Sequence, residues 1–382
     1  MNFQYYNPVQ VFFGEGCVAA HPEIFNRYGK KALIVTGHSS RRNGSLDDVL
    51  QVLQTLSIPW DIYDDIKPNP TVASVRDGAA FANAHASDFI IAIGGGSPMD
   101  TAKGIALLAR QNLTDDQLFV AKYYTDDVLP MIMVPTTAGT GSEVSEYSVL
   151  MDEARHTKSS ISSPVIYPKA ACLDYRYTRG IGHDTTLYPA LDALSHSIEG
   201  ILSKRGDAMI TALALESIAT IGDCMEDVLA FCRSGTALSD SCREKLLYGA
   251  YLGGLVLAHT STTVVHAMGH SLTFSKGIVH GRANALCLPG YLKFTEGSVP
   301  VADPDASNPE VVQTILQAMG MKSTDQFQAL FDELLGETDH LTEEEILEFT
   351  KIVSAKRNVP NCLVVPAPAD IEYMYRHLAG RK

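Results

Sequence analysis

The chain has 382 residues, 46% of them hydrophobic, which is enough for two sizeable cores. A formal net charge of −14 argues against nucleic acid and anionic membrane surfaces as partners, because both are bound through concentrated Lys and Arg. No basic stretch precedes an apolar segment at the start, and no apolar run reaches the roughly eighteen residues of a membrane helix. Seven scattered cysteines without a C-x-x-C pair indicate reduced thiols. We therefore expect a cytoplasmic protein with small-molecule ligands, no nucleic acid and no membrane.

In the first half of the chain, short apolar runs alternate with helical patterns. In chain order these are KALIVTG, SLDDVLQVLQTL, DFIIAIGGG, MDTAKGIALLAR and PMIMVPTTAG. The alternation predicts an α/β fold, with strand-helix-strand units around a parallel sheet. After AACLDYRYT the strand patterns stop and helical periodicity dominates. We predict an α/β domain over residues 1–182, an all-helical domain over residues 183–382, and an active site in the cleft between them.

A glycine loop follows the predicted buried strand at 90–93. The loop consists of Gly94, Gly95, Gly96 and Ser97. We predict that Ser97 caps the next helix and that Asp100, three residues on, returns the bond. Glycines before a helix N-terminus leave its amides open to a phosphate, which the helix dipole also favours. The loop, together with Asp100, therefore predicts a site for the pyrophosphate of a dinucleotide.

A second loop, TTAGTGSEVS, follows the strand MIMVP and carries several hydroxyl groups. They belong to Thr136, Thr137, Thr140 and Ser142. These groups and the bare amides beside them are suited to the ribose and nicotinamide amide of the same cofactor. Neither glycine loop has the G-x-G-x-x-G spacing, so the usual Rossmann fingerprint is absent.

The end of the first strand bears on which dinucleotide is bound. NAD-binding sheets commonly place an acid there for the ribose hydroxyls, whereas this chain has Gly37. Ser39, Ser40, Arg41 and Arg42 follow, and no carboxylate would repel a 2′-phosphate. NADP(H) is therefore favoured over NAD(H), although a solvated surface loop would explain the two arginines nearly as well.

A carboxylate and several imidazoles stand at spacings typical of metal ligands. Asp192 and His196 are four residues apart in LDALSHSIEG, so both project from one face of a predicted helix. His266 and His270 repeat this spacing, and His280 follows in a VHG turn from which it can reach the same ion. Five candidates thus compete for about four positions around a divalent cation. A donor set without nearby cysteine indicates a catalytic rather than a structural metal.

Five motifs together resemble the iron-containing (group III) alcohol dehydrogenase family, in the family's order and over nearly the whole chain. They are GGGSPMDTAK at 94–103, PTTAGTGSEVS at 135–145, DALSHSIEG at 192–200, HAMGHSL at 266–272 and HGRANALCLP at 280–289. The resemblance implies Fe²⁺, or alternatively Zn²⁺, held by Asp192, His196, His266 and His280. It implies that His270 stands beside the metal as a proton carrier or substrate contact.

The resemblance also implies the reaction: metal-dependent hydride transfer between NADP(H) and a small primary alcohol, diol or aldehyde. A glycerol or polyol dehydrogenase of the same superfamily is the nearest alternative. A lyase similar to dehydroquinate synthase is a further one, but it needs a basic pocket, and only Lys276 is cationic between residues 259 and 281. Family members are often dimers or larger, so we expect a homo-oligomer.

Overall fold

The computed structural model describes residues 3–153, 157–299, 307–338 and 340–380. These residues form two compact units. The first is Tyr6–Ile181, and the second comprises the described parts of Met1–Tyr5 and Gly182–Lys382. The first unit is α/β and the second is helical, which confirms the fold class predicted from the sequence.

A six-stranded parallel sheet forms the centre of the α/β unit. Its strand order is β1-β8-β5-β4-β2-β3. The strands are β1 (Gln10–Phe13), β2 (Ala32–Thr36), β3 (Trp60–Tyr63), β4 (Phe89–Gly94), β5 (Met131–Pro135) and β8 (Ala170–Leu173). Every residue of β2, β4, β5 and β8 is buried. This burial explains their continuous apolar sequences, because parallel strands are covered on both faces.

The helices of this unit alternate with the strands. They are α1 (Cys17–Ala20), α2 (Glu23–Arg27), α3 (Ser45–Thr55), α4 (Val72–Ala84) and α5 (Gly96–Leu108). An antiparallel hairpin of β6 (Tyr147–Asp152) and β7 (Thr157–Ser162) was not predicted. The sequence of β7, TKSSIS, contains one strongly apolar residue, so it lacks the apolar alternation by which strands are recognised.

The start of α5 differs from the prediction. Its N-cap is Gly95, no side chain caps the helix, and Ser97 lies within the first turn. The predicted capping box of Ser97 and Asp100 is therefore wrong. Asp100 instead accepts hydrogen bonds from Ser142 Oγ (2.8 Å) and from the backbone N–H of Val149 (3.1 Å). The carboxylate thus joins α5 to the second loop and to β6.

The second unit is built from ten helices in its described residues. They are α6 (His183–Ile201), α7 (Ala208–Gly222), α8 (Met225–Ser234), α9 (Asp240–Thr260), α10 (Val264–Lys276), α11 (His280–Glu296), α12 (Pro309–Ala318), α13 (Thr324–Leu335), α14 (Glu343–Ser354) and α15 (Pro368–Arg376). Helix α6 is central: it contacts α7, α9 and α11, and residues 190–201 are buried all round. Burial on every face accounts for the many small and aliphatic residues of this stretch, and it also buries the polar side chains of Asp192, His196 and Glu199.

One segment of the described chain, Ala208–Ser234, is long and apolar enough to cross a membrane by length and composition alone. It comprises α7 and α8, which are separated at Asp223 and Cys224. Helix α7 contacts α6, α9 and α12, and it buries Ile210, Ala214 and Ile218. Helix α7 therefore packs against other helices of the helical unit.

Candidate metal centre and cofactor loops

Three helices of the second unit bring together four of the five candidate residues, the four that were predicted as metal ligands. Asp192 and His196 lie one turn apart on α6, His266 lies on α10, and His280 is the first residue of α11. The Nε2 atoms of the three histidines lie 3.8, 3.7 and 3.7 Å, respectively, from Asp192 Oδ1. Three ring nitrogens therefore converge on one carboxylate oxygen.

His280 lies in a helix and not in a turn, contrary to the sequence prediction. The close approach of α11 to α6 at this point depends on Gly281, the next residue. A Cβ atom on Gly281 would lie 2.0 Å from the carbonyl oxygen of Tyr188 and 3.3 Å from the Cβ atom of Asp192. Only glycine lets the two backbones come this close, and the contact places His280 beside Asp192.

The arrangement fits a divalent cation. With bonds of about 2.1 Å, neighbouring ligand atoms of a tetrahedral site lie about 3.4 Å apart, close to the distances found here. One ligand atom from each of Asp192, His196 and His266 lies within 4.8 Å of the others, and all three residues are buried. His266 Nε2 is a buried nitrogen without a hydrogen-bond partner, which is costly unless it binds something. Imidazole and carboxylate donors suit Fe²⁺ and Zn²⁺ alike.

Electrostatics keeps two of these side chains in the protonation state that a metal requires. Burial alone would raise the pKa of Asp192, but the three histidines and Asn284 lower it to about 2. Burial lowers the pKa of His196 to about 4, although Asp192 opposes the shift. At neutral pH, Asp192 is therefore an anion and His196 a neutral donor, as metal coordination demands.

His270, the fifth candidate, stands beside this cluster. Its ring centroid is 5.3 Å from that of His280 and 6.4 Å from that of His266. The side chain is half-buried, whereas His196 and His266 are buried. His270 therefore lies next to the group formed around Asp192, in a position from which it can meet a ligand.

Two residues of the site were missed by sequence analysis. Glu199 accepts a hydrogen bond from Nδ1 of His266, and Asn284 Nδ2 donates to Asp192 Oδ1 at 2.9 Å. Burial would raise the pKa of Glu199, but the His266 ring and the hydrogen bonds of Thr263 lower it. Glu199 lies three residues after His196, on the same helix face, and this spacing was the available signal.

The two predicted cofactor loops follow adjacent parallel strands, β4 and β5, at their carboxyl ends. They lie against each other: a Cβ atom on Gly95 would be 2.9 Å from Thr137 Oγ1, and one on Gly96 would be 3.0 Å from Thr140 Cγ2. Gly94 has a φ of +149°, which strongly favours glycine. Open parallel sheets bind ligands at this edge, so the loops occupy the expected place for a dinucleotide.

Further residues of these loops form a buried network. The Lys103 side chain is fully buried, and its Nζ donates to Ser142 Oγ (2.9 Å) and to the carbonyl oxygens of Ser145 and Tyr147 (both 2.8 Å). Ser142 Oγ in turn donates to Asp100. Ser142 and Asp100, both predicted to bind cofactor, thus have structural partners inside the unit. Thr136 is buried, and its backbone N–H donates to the carbonyl of Gly94 at 2.9 Å.

The residues after β2 differ in accessibility. Gly37 is extended, with a φ of −93°, and a Cβ atom there would meet nothing within 4 Å. Ser39 is exposed, whereas Ser40 is buried and its hydroxyl is hydrogen-bonded to Thr36 and to the Gly37 carbonyl. Arg41 pairs with Asp64 at 2.9 Å.

Family models match both units. Residues 8–175 match the iron-containing alcohol dehydrogenase family, and residues 186–348 match the C-terminal model of the Fe-containing alcohol dehydrogenase family. The chain is 31% identical to lactaldehyde reductase of Escherichia coli (strain K12), over 74% of this chain and 73% of that protein. It is also 31% identical to 1,3-propanediol dehydrogenase of Klebsiella pneumoniae, over 84% and 80%.

Solved structures agree with this assignment. The crystal structure of an iron-containing alcohol dehydrogenase from Thermotoga maritima superposes with a TM-score of 0.87 at 33% identity, covering 99% of this chain and 100% of that one. Sulfoacetaldehyde reductase from Bifidobacterium kashiwanohense, solved in complex with NAD⁺, gives 0.86 at 27% identity, covering 99% of each chain. The chain therefore belongs to the iron-containing alcohol dehydrogenase family. It is an oxidoreductase that acts on CH–OH groups.

Proposed function

We propose that the protein is a metal-dependent alcohol dehydrogenase and aldehyde reductase that uses NADP(H) and a small primary alcohol, diol or aldehyde. The observation that carries the proposal is the convergence of three imidazole nitrogens, each 3.7–3.8 Å from Asp192 Oδ1. Because the protein supplies four donors, substrate would bind as an additional, fifth ligand. A higher coordination number suits Fe²⁺ somewhat better than Zn²⁺, which is usually four-coordinate.

In this proposal the helical unit holds the metal through Asp192, His196, His266 and His280. When bound, a divalent cation polarises an alcohol or carbonyl oxygen and lowers the hydroxyl pKa, while the nicotinamide exchanges the hydride. Asp192 supplies one negative charge and the histidines supply neutral nitrogen donors. His270, beside His280, accepts the hydroxyl proton or contacts the substrate.

The α/β unit supplies the cofactor site. We propose that Gly95, Gly96 and Ser97 face the pyrophosphate, and that Thr137 and Thr140 face the nicotinamide side. The absence of side chains on the two glycines leaves their amides accessible, and the N-terminus of α5 favours an anion.

NADP(H) preference depends on the residues after β2. Gly37 places no carboxylate there, Ser39 is exposed, and Arg42 is exposed as well. Arg41 already pairs with Asp64, so Arg42 is the better candidate for the 2′-phosphate. One relative of this fold, the sulfoacetaldehyde reductase, was solved in complex with NAD⁺.

Gly37→Asp tests this preference cleanly, because the added side chain meets no atom within 4 Å of its Cβ. We expect kcat/KM to shift from NADPH toward NADH, by repulsion of the 2′-phosphate and bonding to the ribose hydroxyls. Gly37→Asn, of the same size and without charge, is the matched control. An unchanged NADPH/NADH ratio in Gly37→Asp would contradict the proposed role of this loop.

The relatives support small aldehydes and diols as substrates, since they include a lactaldehyde reductase and a 1,3-propanediol dehydrogenase. A glycerol or polyol dehydrogenase remains the nearest alternative.

All seven cysteines are free thiols, which supports the cytoplasmic prediction. We retain a homo-oligomer as the proposed assembly.

The deciding experiment combines metal analysis with turnover. Purified protein loaded anaerobically with Fe²⁺, and separately with Zn²⁺, is assayed with NADPH and NADH against a panel of small aldehydes and alcohols. We expect about one metal per chain and turnover that His280→Ala abolishes together with metal retention, whereas NADPH binding by the α/β unit persists. Full activity of metal-free His280→Ala protein would refute the proposed site.

A further inference from the structure

Glu199 is a buried carboxylate with several hydrogen bonds. The residue is fully buried, and Oε1 accepts from the backbone N–H of Thr263 (2.8 Å), from Thr263 Oγ1 (2.6 Å) and from the backbone N–H of His266 (3.4 Å). Its second oxygen, Oε2, is bonded to Nδ1 of His266. A buried charge is costly unless it is paired and hydrogen-bonded, and here both oxygens are occupied.

These bonds place Glu199 at the beginning of α10. Thr263 is the N-cap of that helix, and its own side chain makes no capping bond. The carboxylate from α6 therefore takes the place of a side-chain cap, at the helix end where negative charge is favoured. The same group that fixes the first turn of α10 also holds the ring of His266.

The bond to His266 determines how that ring is presented. An ionised carboxylate can only accept hydrogen bonds, so Nδ1 of His266 carries the hydrogen. In the neutral ring, Nε2 then holds the lone pair, and this atom lies 3.7 Å from Asp192 Oδ1 with no hydrogen-bond partner. Carboxylates that orient metal-binding histidines in this way raise metal affinity.

We propose that Glu199 is a positioning residue that sets the tautomer and orientation of His266 for metal binding. The inference rests on the proposed metal site and adds to it a residue that touches neither the metal nor the substrate. It acts through the imidazole of His266, by holding the hydrogen on Nδ1.

Glu199→Gln is the matched test, since it keeps the shape of the side chain. An amide has one acceptor oxygen, whereas both Glu199 oxygens receive donors, so the NH₂ group of glutamine faces either the donors of Thr263 or Nδ1 of His266, where it favours the Nε2–H tautomer. We expect Zn²⁺ affinity, measured by competition with a chromogenic chelator, to fall about 10–100-fold. At a pH at which the His266 ring is neutral, metal-free wild-type protein should show it as the Nδ1–H tautomer by ¹⁵N NMR.

Glu296→Gln serves as the control. Glu296 lies on α11 of the same unit and also accepts two side-chain donors, Gln313 Nε2 (3.4 Å) and Thr324 Oγ1 (2.8 Å). A role in stability alone would lower the unfolding temperature of either variant and leave Zn²⁺ affinity below that temperature unchanged. We expect the Zn²⁺ affinity of Glu296→Gln to stay within twofold of wild type.

The outcomes separate this inference from the proposed function. If His280→Ala weakens Zn²⁺ binding and Glu199→Gln does not, the metal site stands and the role of Glu199 is refuted. If the wild-type chain binds no metal, both fail. Should Glu199→Gln not fold, the wild-type NMR spectrum decides, because an Nε2–H tautomer of His266 in the metal-free protein would overturn the inference.

Discussion

Replacing Gly281 with alanine should disable the proposed metal centre although it replaces none of the proposed ligands. The added Cβ atom would lie 2.0 Å from the carbonyl oxygen of Tyr188 and 2.7 Å from its carbonyl carbon. Both are backbone atoms in α6, so neither can move aside as a flexible side chain would. Relief requires the first turn of α11 to move away from α6, and His280 is part of that turn.

The size of the effect follows from the contact distances. An ordinary contact between a carbon and an oxygen atom is about 3.4 Å or more, so the backbones must separate by more than about 1 Å. Metal–ligand distances tolerate only about 0.2 Å. His280 should therefore lose its place in the site, and Zn²⁺ affinity should fall by at least about 10–100-fold, the loss typical of a disturbed supporting contact. Overpacking should also lower stability by about 1–3 kcal/mol.

The assay is the Zn²⁺ competition titration, with the unfolding temperature measured in parallel. Gly290→Ala is the control, because Gly290 lies on the same helix and a Cβ atom there makes only ordinary contacts of 3.5–3.6 Å with Met374. That variant should bind Zn²⁺ normally and gain up to about 1 kcal/mol of stability. If Gly281→Ala bound Zn²⁺ as tightly as wild type, the helix contact would not be what positions His280.

Two further predictions concern the α/β unit. Gly94→Ala should weaken NADPH binding in a fluorescence titration and cost about 1–3 kcal/mol of stability, because φ is +149° and the Cβ atom would lie 2.6 Å from Pro98 Cγ. Burial raises the pKa of Glu143 from 4.5 to about 7, so the folded state binds this proton more tightly than the unfolded state does. The resulting stabilisation of the folded state is fully present below pH 4.5 and is lost as pH rises through 7. Glu143→Gln should therefore gain roughly 2–3 kcal/mol relative to wild type between pH 5 and pH 8 in urea unfolding, and equal differences at both pH values would contradict the shift.

Local sequence carried much of the information about this fold. The alternation of apolar runs and helical patterns predicted the α/β unit and the helical unit, because periodicity reports which face of each element is buried. The hairpin of β6 and β7 escaped prediction, since β7 is mostly polar and is a strand only through its pairing with β6.

The predicted cofactor loops show what local sequence patterns cannot predict. Glycines after β4 predicted an open helix N-terminus, but the pattern also predicted a capping box that does not form. Asp100 finds Ser142 and Val149 instead, and these partners are 42 and 49 residues away in sequence. Ser40 appears equivalent to Ser39 in the sequence, yet only Ser39 is exposed. Such choices depend on which chain segments pack together.

In the proposed metal centre, too, some features follow from local sequence and others depend on tertiary packing. The four-residue spacing of Asp192 and His196, and of His266 and His270, is a property of the helix and can be read from sequence alone. The spacing could not decide that His266, and not His270, lies with Asp192, nor that Glu199 holds its ring. Those assignments required the packing of α6, α10 and α11, because the 3.7 Å distances from Asp192 Oδ1 to His266 and to His280, which lie on separate helices, are set by the contact of the helix backbones.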